Sequence, residues 1–195
     1  DVSSQKEILD LLELIHEEIS GIKIGLQYIT QRSPEEIREL AKFKKPIFYD
    51  GKFFDIKNTL VESVKSLKNL NVDYATVHLL NGLDALKDAN QAAQEINLKL
   101  LGVSVLTSFA DEDLENLGFN NKIEDQVKKL IKIAMKAHLH GVICSPLEIK
   151  MIKKIAPNLK CFTPGIRMSD TKDDQKRTMN ANEAIKEGSD CLIIG

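Results

Sequence analysis

The sequence has no tryptophan, only three cysteines, and no apolar run near the roughly 20 residues that a transmembrane helix needs. No signal peptide opens it, so we expect a cytoplasmic protein with no membrane partner. The cysteines are Cys144, Cys161 and Cys191, which lie in or beside apolar runs without CxxC spacing. We therefore expect them to be reduced, small apolar residues rather than disulfide or metal-binding residues.

An excess of charge of one sign is also missing. The 27 basic and 29 acidic residues leave a net charge of −2, and both signs are interspersed. This composition predicts no nucleic-acid partner. No GxGxxG follows the first predicted strand, which argues against an open, doubly wound dinucleotide-binding sheet.

Short apolar runs alternate with amphipathic helical patterns along the whole chain. Alternation of this kind predicts a parallel sheet with helical crossovers. The predicted strands are the end of one at Asp1-Val2 and residues 21–24, 46–49, 74–78, 99–106, 141–144, 160–163 and 191–194. Eight strands favour an α/β fold of the (β/α)8 TIM-barrel class, a single domain over residues 1–195 that looks trimmed at both ends.

Helix starts are marked by capping residues. Ser4-x-x-Glu7 is a capping box, Ser33-Pro34 places proline at the first helical position, and Asn180-x-x-Glu183 predicts the start of the last helix. Asn58-Thr59 is interpreted as the cap of the helix over about 56–67.

A charged motif follows the predicted strand 46–49. Asp50 and Lys52 are two residues apart and would point to the same side of a strand. Asp55, three residues on, could turn back to Lys52 or reach a neighbouring subunit. A lysine between two carboxylates at the end of a buried strand stands where parallel α/β folds carry out chemistry. The alternative is an ion pair on the surface, which contributes little to stability.

Other polar residues stand at predicted strand ends and would converge on the same site. Lys23 lies in the second strand, Thr107 follows the fifth, and Arg167 follows the seventh. His78 ends the fourth strand and is interpreted as a packing residue, because no carboxylate is near it in the sequence. The charge run 173–177 is either a solvated loop or part of a phosphate site.

These positions together resemble the bacterial type of the orotidine 5′-phosphate decarboxylase family, over essentially all 195 residues. The motifs that carry the resemblance are Asp1, Lys23-Ile24-Gly25, Asp50-x-Lys52-x-x-Asp55-Ile56-x-Asn58-Thr59, Thr76-Val77-His78, Val105-Leu106-Thr107-Ser108, Val142-Ile143-Cys144-Ser145-Pro146, Thr163-Pro164-Gly165-Ile166-Arg167, Asp174-Gln175-Lys176-Arg177 and Ile194-Gly195. A single D-x-K-x-x-D motif is weak, whereas this ordered set, with each motif at a predicted strand end, is specific.

The resemblance implies decarboxylation of orotidine 5′-phosphate to uridine 5′-phosphate in pyrimidine biosynthesis, with no cofactor and no metal. Lys52 would donate a proton to C6 of the pyrimidine. Lys23, Asp50, Lys52 and Asp55 would form an array of alternating charge, with Asp55 contributed to the partner subunit of a homodimer.

The resemblance also implies the substrate contacts. Asp1 and Lys23 would hold ribose hydroxyls, and Thr107 would contact the base. Asn58 and Thr59 would help to close the site. The phosphate would be held by Arg167, by Gln175 and by the backbone of Gly195.

The sequence departs from the family pattern in several places. Gly51 stands where leucine is common, Phe54 where histidine is common and Lys57 where proline is common. The family usually has an arginine directly after the glycine that matches Gly195, where the sequence stops. Two alternatives stay open: a magnesium-dependent sugar-phosphate decarboxylase or synthase of the same barrel lineage, and a non-catalytic nucleotide-binding barrel.

Overall fold

The computed structural model describes residues 4–167 and 177–195. In this part of the chain, short strands alternate with helices, as the sequence predicts. The strands are β1 Ile22–Ile24, β2 Ile47–Phe53, β3 Tyr74–His78, β4 Lys99–Val103, β5 Gly141–Ile143, β6 Lys160–Thr163, β7 Ile166–Arg167, β8 Met179–Asn180 and β9 Cys191–Leu192. The helices are α1 Gln5–Ile15, α2 Leu26–Gln31, α3 Pro34–Glu39, α4 Lys57–Ser66, α5 Leu83–Glu95, α6 Asp111–Asn116, α7 Ile123–Lys136, α8 Ile149–Ile155 and α9 Ala181–Glu187.

Seven of these strands form one sheet in the order β1-β2-β3-β4-β5-β6-β9, and each neighbouring pair is parallel. Strands β7 and β8 pair separately as a small parallel ribbon. A parallel order that follows the chain requires each connection to cross over the sheet, and helices make these crossings. All strand ends of one polarity therefore meet at one edge.

Aromatic contacts inside the sheet show that it is curled into a barrel. The rings of Phe48 in β2 and Phe162 in β6 lie 6.1 Å apart, and both rings contact Tyr74 in β3. In a flat sheet these two strands would be separated by four strand spacings, about 19 Å. The curvature confirms the predicted barrel class. The predicted first strand, Asp1-Val2, lies outside the described residues.

The larger part of the core lies between the outside of the sheet and the helices. Buried side chains such as Leu60 in α4, Leu86 in α5 and Ile131 in α7 belong to one continuous apolar cluster. A smaller cluster, with Leu101 and Ile143 beside the aromatic residues, fills the inside of the barrel. The sheet is therefore apolar on both faces, which leaves chemistry to the strand ends.

The predicted caps at three helix starts are confirmed. The side chains of Ser4, Ser33 and Asn180 each accept a hydrogen bond from a backbone N–H in the first turn of α1, α3 and α9. The predicted cap at Asn58-Thr59 is wrong, because α4 begins at Lys57 and the residue at its N-cap is Ile56. Asn58 and Thr59 are thus residues of the first helical turn.

Three strand ends differ from prediction by two residues or more. Strand β4 ends at Val103 rather than at residue 106, and β9 ends at Leu192 rather than at residue 194. Strand β2 continues through the charged motif to Phe53 rather than ending at residue 49. Among the described residues, no helix is both long and apolar enough to cross a membrane.

Candidate active site

The charged motif lies on an irregular part of β2. Tyr49 is the register partner of Ala75, but the next partners are Phe53 and Val77, so β2 advances four residues where β3 advances two. Such a bulge re-aims side chains at the end of a strand. Lys52 lies in the bulge with a φ of 47°, in the left-handed region that residues other than glycine seldom adopt.

The bulge brings three charged side chains together. The Lys52 Nζ donates a hydrogen bond of 2.8 Å to Asp50 Oδ2, and the Lys23 Nζ, from β1, lies 3.5 Å from the same oxygen. Asp50 is only 8% exposed. A buried carboxylate needs charged or hydrogen-bonding partners to offset its desolvation, and here two ammonium groups meet that need.

The other oxygen of the Asp50 carboxylate is held by a threonine. The Thr76 Oγ1, on β3, donates to Asp50 Oδ1 over 2.9 Å and accepts a 2.8 Å hydrogen bond from the backbone N–H of Lys52. Thr76 belongs to the Thr76-Val77-His78 motif, but no role was predicted for it from the sequence. Its signal was a polar residue in an otherwise apolar strand, on the same face as Tyr74 and His78.

Asp55 is not part of this cluster within one chain. It is exposed, its Oδ1 accepts a 2.7 Å hydrogen bond from the backbone N–H of Ile56, and among the described residues no ion pair joins it to Lys52. The sequence left two possibilities open for Asp55, a contact with Lys52 of the same chain or a contact with a neighbouring subunit. The single chain does not adopt the first.

Asn81, for which no role was predicted from the sequence, fixes the segment that carries Asp55. Its Nδ2 donates to the backbone oxygens of Phe53 (2.9 Å) and His78 (2.8 Å), and its Oδ1 accepts from the Asp55 N–H (3.1 Å). These hydrogen bonds join the ends of β2 and β3, which come together only in the folded protein. From the sequence alone, the one signal was that Asn81 precedes Gly82, a pair typical of turns.

Asn58 and Thr59 are exposed on the outer face of α4. With Glu62, Ser63 and Ser66 they line a shallow groove, while Leu60 on the opposite face of the helix is buried. These two residues follow Asp55 closely in the sequence and, like Asp55, are exposed.

The other predicted site residues that belong to the described part of the chain lie at the same edge of the barrel. Thr107 lies half-buried in the turn after β4, Arg167 lies in β7 with its Nη1 donating to the Ile166 backbone oxygen (3.0 Å), and exposed Gly195 follows β9. Asp1 and Gln175 lie outside the described residues.

Arg177 does not behave as part of a solvated charge run. Its guanidinium forms an ion pair with Glu148 and donates to the backbone oxygens of Val105 (3.2 Å) and Leu106 (2.9 Å). Burial raises the pKa of Glu148, and the Arg177 charge opposes that rise. The solvated interpretation of residues 173–177 is thus wrong for Arg177, and residues 173–176 lie outside the described residues.

His78 fits the interpretation as a packing residue. Burial lowers the pKa of its imidazole, its Nδ1 accepts from the backbone N–H of Leu80 (3.3 Å), and its ring lies 5.5 Å from that of Phe54. The three cysteines are free thiols; Cys144 and Cys161 are buried and Cys191 is partly exposed.

Comparison with known proteins shows the family to which the chain belongs. The family model described as "Orotidine 5′-phosphate decarboxylase / HUMPS family" matches residues 1–195. The orotidine 5′-phosphate decarboxylase of Wolbachia pipientis subsp. Culex pipiens (strain wPip) is 39% identical over 196 residues, which cover 100% of this chain and 87% of that protein.

Two further comparisons agree. The orotidine 5′-phosphate decarboxylase of Prochlorococcus marinus (strain MIT 9312) is 41% identical over 187 residues, 91% of this chain and 77% of that protein. The crystal structure of orotidine 5′-phosphate decarboxylase from Lactobacillus acidophilus superposes with a TM-score of 0.86 at 28% identity, covering all of this chain and 87% of that one. The chain belongs to the orotidine 5′-phosphate decarboxylase / HUMPS family.

Proposed function

We propose that this protein decarboxylates orotidine 5′-phosphate to uridine 5′-phosphate in the cytoplasm, as a step of pyrimidine biosynthesis and without a cofactor. The observation that carries the proposal is the cluster of Lys23, Asp50 and Lys52 at the mouth of the barrel, in a chain of this family.

The reaction breaks the bond between C6 of the pyrimidine and the carboxylate carbon. Carbon dioxide leaves, and the bonding electron pair stays on C6 as a carbanion. An ammonium beside C6 stabilises that developing charge more than it stabilises the substrate, which lowers the barrier. Lys52 then transfers a proton from Nζ to C6 and completes the product.

The neighbours of Lys52 fit this role. Asp50 accepts a 2.8 Å hydrogen bond from the Lys52 ammonium and so fixes the position of the Nζ that would donate the proton. A Schiff-base lysine would require the reverse, an uncharged amine between apolar walls. Lys23, from β1, lies 3.5 Å from the same Asp50 oxygen and, with Asp1, would hold the ribose hydroxyls.

The phosphate would bind away from the reacting carbon. Arg167, Gln175 and the backbone of Gly195 are its ligands in this proposal, and Thr107 contacts the base. Binding energy from a remote phosphate can be used to close the site over the substrate, which raises the rate as well as the affinity.

The proposal includes a homodimer in which Asp55 completes the array of the partner's site. The apolar surface beside Asp55 supports it, because Phe54 is 62% and Ile56 75% exposed. Adjacent exposed apolar residues of this size are typical of protein–protein contacts. Asn58 and Thr59, on the same surface, would close the partner's site.

The test is the fall in absorbance as orotidine 5′-phosphate is converted, measured with a chelator present. We expect turnover that the chelator leaves unchanged. A rate that depends on added Mg²⁺, with sugar-phosphate rather than nucleotide substrates, would favour the sugar-phosphate decarboxylase or synthase. Binding of uridine 5′-phosphate without turnover would favour the nucleotide-binding barrel.

A further inference from the structure

The geometry points to Thr76 as a positioning residue that aligns Asp50 and Lys52 for the reaction. This inference rests on the proposed function, since it concerns the same site. Thr76 is fully buried, and its hydroxyl is shared between the Asp50 carboxylate and the Lys52 backbone N–H.

The first reason is the bulge in β2. At the bulge the regular exchange of hydrogen bonds with β3 stops, between the pairs Tyr49–Ala75 and Phe53–Val77. A buried N–H that loses its ladder partner must find another acceptor. The Lys52 N–H finds the Thr76 Oγ1 at 2.8 Å, so the hydroxyl replaces a main-chain acceptor where the strand is irregular.

The second reason is the backbone conformation of Lys52. A lysine with a φ of 47° is strained relative to the extended conformation of a strand. Such a conformation persists only when the surroundings hold it. The hydrogen bond from Lys52 N–H to Thr76 acts at the strained residue itself.

The third reason is the hydrogen-bonding capacity of a hydroxyl. Threonine has one proton to donate and lone pairs to accept with. Here the proton is directed to Asp50 Oδ1 and a lone pair to the Lys52 N–H, so one atom sets the distance between the two groups. Valine has the same shape but can do neither.

The expected consequence is a loss of rate rather than of affinity. Asp50 and Lys52 act at the reacting carbon, while most substrate contacts would lie at the ribose, base and phosphate. Misalignment of the reacting groups therefore lowers transition-state stabilisation more than ground-state binding. An error of about 1 Å in such an arrangement can cost about 100-fold in rate.

The test compares Thr76→Val, Thr76→Ala and Thr76→Ser with the wild-type protein, by kcat and KM for orotidine 5′-phosphate and by the Kd for uridine 5′-phosphate. We expect Thr76→Val to lower kcat about 10- to 100-fold and to leave KM and Kd within about threefold. Thr76→Ser should retain most of kcat, while Thr76→Ala, which differs from it only by the hydroxyl, should resemble Thr76→Val.

A matched control separates positioning from general destabilisation. Thr163 is also fully buried at a strand end, but its Oγ1 lies 2.8 Å from the Ser189 Oγ and not near the charged cluster. Thr163→Val should lower the melting temperature to a similar extent and keep kcat within about threefold of wild type.

The outcomes of this test separate the positioning role of Thr76 from the proposed decarboxylase function. Absence of wild-type turnover would overturn the proposed function and the inference together. Wild-type turnover with a Thr76→Val kcat within about threefold of it would overturn the inference alone. Should Thr76→Val fail to fold, the Ser and Ala variants decide: equal rates in these two would show that the hydroxyl does not position the array.

Discussion

At the scale of the residue, the site depends on how the Asp50 carboxylate is surrounded. Its Oδ2 faces the ammonium groups of Lys52 and Lys23, and its Oδ1 faces the Thr76 hydroxyl. Both oxygens are thus engaged, and the carboxylate cannot rotate without losing a partner. In the proposed mechanism, this arrangement would hold the Lys52 ammonium in place before the substrate binds, so that little reorganisation would remain for the reaction.

Lys52→Ala is expected to reduce turnover of orotidine 5′-phosphate at least about 1,000-fold, because the variant loses both the charge beside C6 and the proton donor. The measurement is the absorbance assay, with circular dichroism to show that the fold is kept. Lys99→Ala, at the opposite ends of the strands, is the control and should retain wild-type turnover. Residual activity of Lys52→Ala within about tenfold of wild type would contradict the role of Lys52.

Gly51, a departure from the family pattern, is explained by its neighbour Tyr49. A Cβ built on Gly51 would lie 2.8 Å from Tyr49 Cε1, and the Tyr49 ring stacks on Phe53 with centroids 5.8 Å apart. The aromatic ring occupies the space that a side chain at residue 51 would need.

Gly51→Leu is expected to lower the free energy of unfolding by about 1–3 kcal/mol, because overpacking forces the Tyr49 ring to move. Tyr49→Val in the same chain should relieve this cost. In a double-mutant cycle measured by urea unfolding, we expect a favourable coupling of at least about 1 kcal/mol. Additive effects of the two substitutions would show that Tyr49 is not the residue that excludes a side chain at 51.

At the scale of the element, one carboxylate joins three pieces of structure at the other end of the barrel. Asp190, directly before β9, accepts hydrogen bonds from the Lys153 Nζ in α8, from the Lys160 Nζ (2.8 Å) in β6 and from the Cys161 N–H (2.9 Å). Partial burial would raise the pKa of Asp190, but these donors outweigh it and lower the pKa to about 2.

Asp190→Asn is expected to lower the free energy of unfolding by about 1 kcal/mol at pH 7, after allowance for screening by solvent. The pKa of Asp190 is depressed on folding, so its contribution is present above the unfolded pKa of about 4 and is lost as the pH falls toward 2.

Urea unfolding of the wild type and Asp190→Asn between pH 7 and pH 2 measures this difference. The gap should close between about pH 4 and pH 2. Asp10→Asn, an exposed carboxylate on α1, is the control and should change stability little at any pH. A gap for Asp190→Asn that stays constant down to pH 2 would contradict the depressed pKa.

At the scale of the whole molecule, the single chain leaves the charged array without Asp55. The segment that carries Asp55 is held by Asn81 at the barrel mouth, yet its carboxylate is exposed. Phe54 and Ile56 flank it, and Leu80, 41% exposed, follows His78 at the end of the neighbouring strand. An exposed acid between exposed apolar side chains suits a self-complementary contact with two-fold symmetry.

Mixing Lys52→Ala chains with Asp55→Ala chains is expected to restore activity. Half of the dimers formed at random are mixed, and one of the two sites in each mixed dimer has both residues intact. Equal amounts of the two chains should therefore recover about one quarter of wild-type turnover per chain. The measurement is turnover after unfolding and refolding the mixture together, and each variant refolded alone is the control. Recovery no greater than the sum of the two controls would contradict a shared site.

The sequence by itself determined the class of fold and the identity of the charged motif. Alternating apolar runs and helix caps such as Ser33 and Asn180 act over a few residues, so they can be recognised without the fold. The D-x-K-x-x-D spacing and the strand-end residues around it identified the family for the same reason. Helix α4 was placed correctly to within a residue, and only its cap was wrong.

Only the tertiary structure decided how the motif is held. Several contacts of the site join residues that are distant in sequence. They are the bulge in β2, the Thr76 hydroxyl between Asp50 and Lys52, the hydrogen bonds of Asn81 to the ends of β2 and β3, and the ion pair of Arg177 with Glu148. A hydrogen bond between neighbouring strands depends on their register, and register depends on the packing of the whole barrel. The sequence therefore names the charged groups, while the fold sets the distances between them.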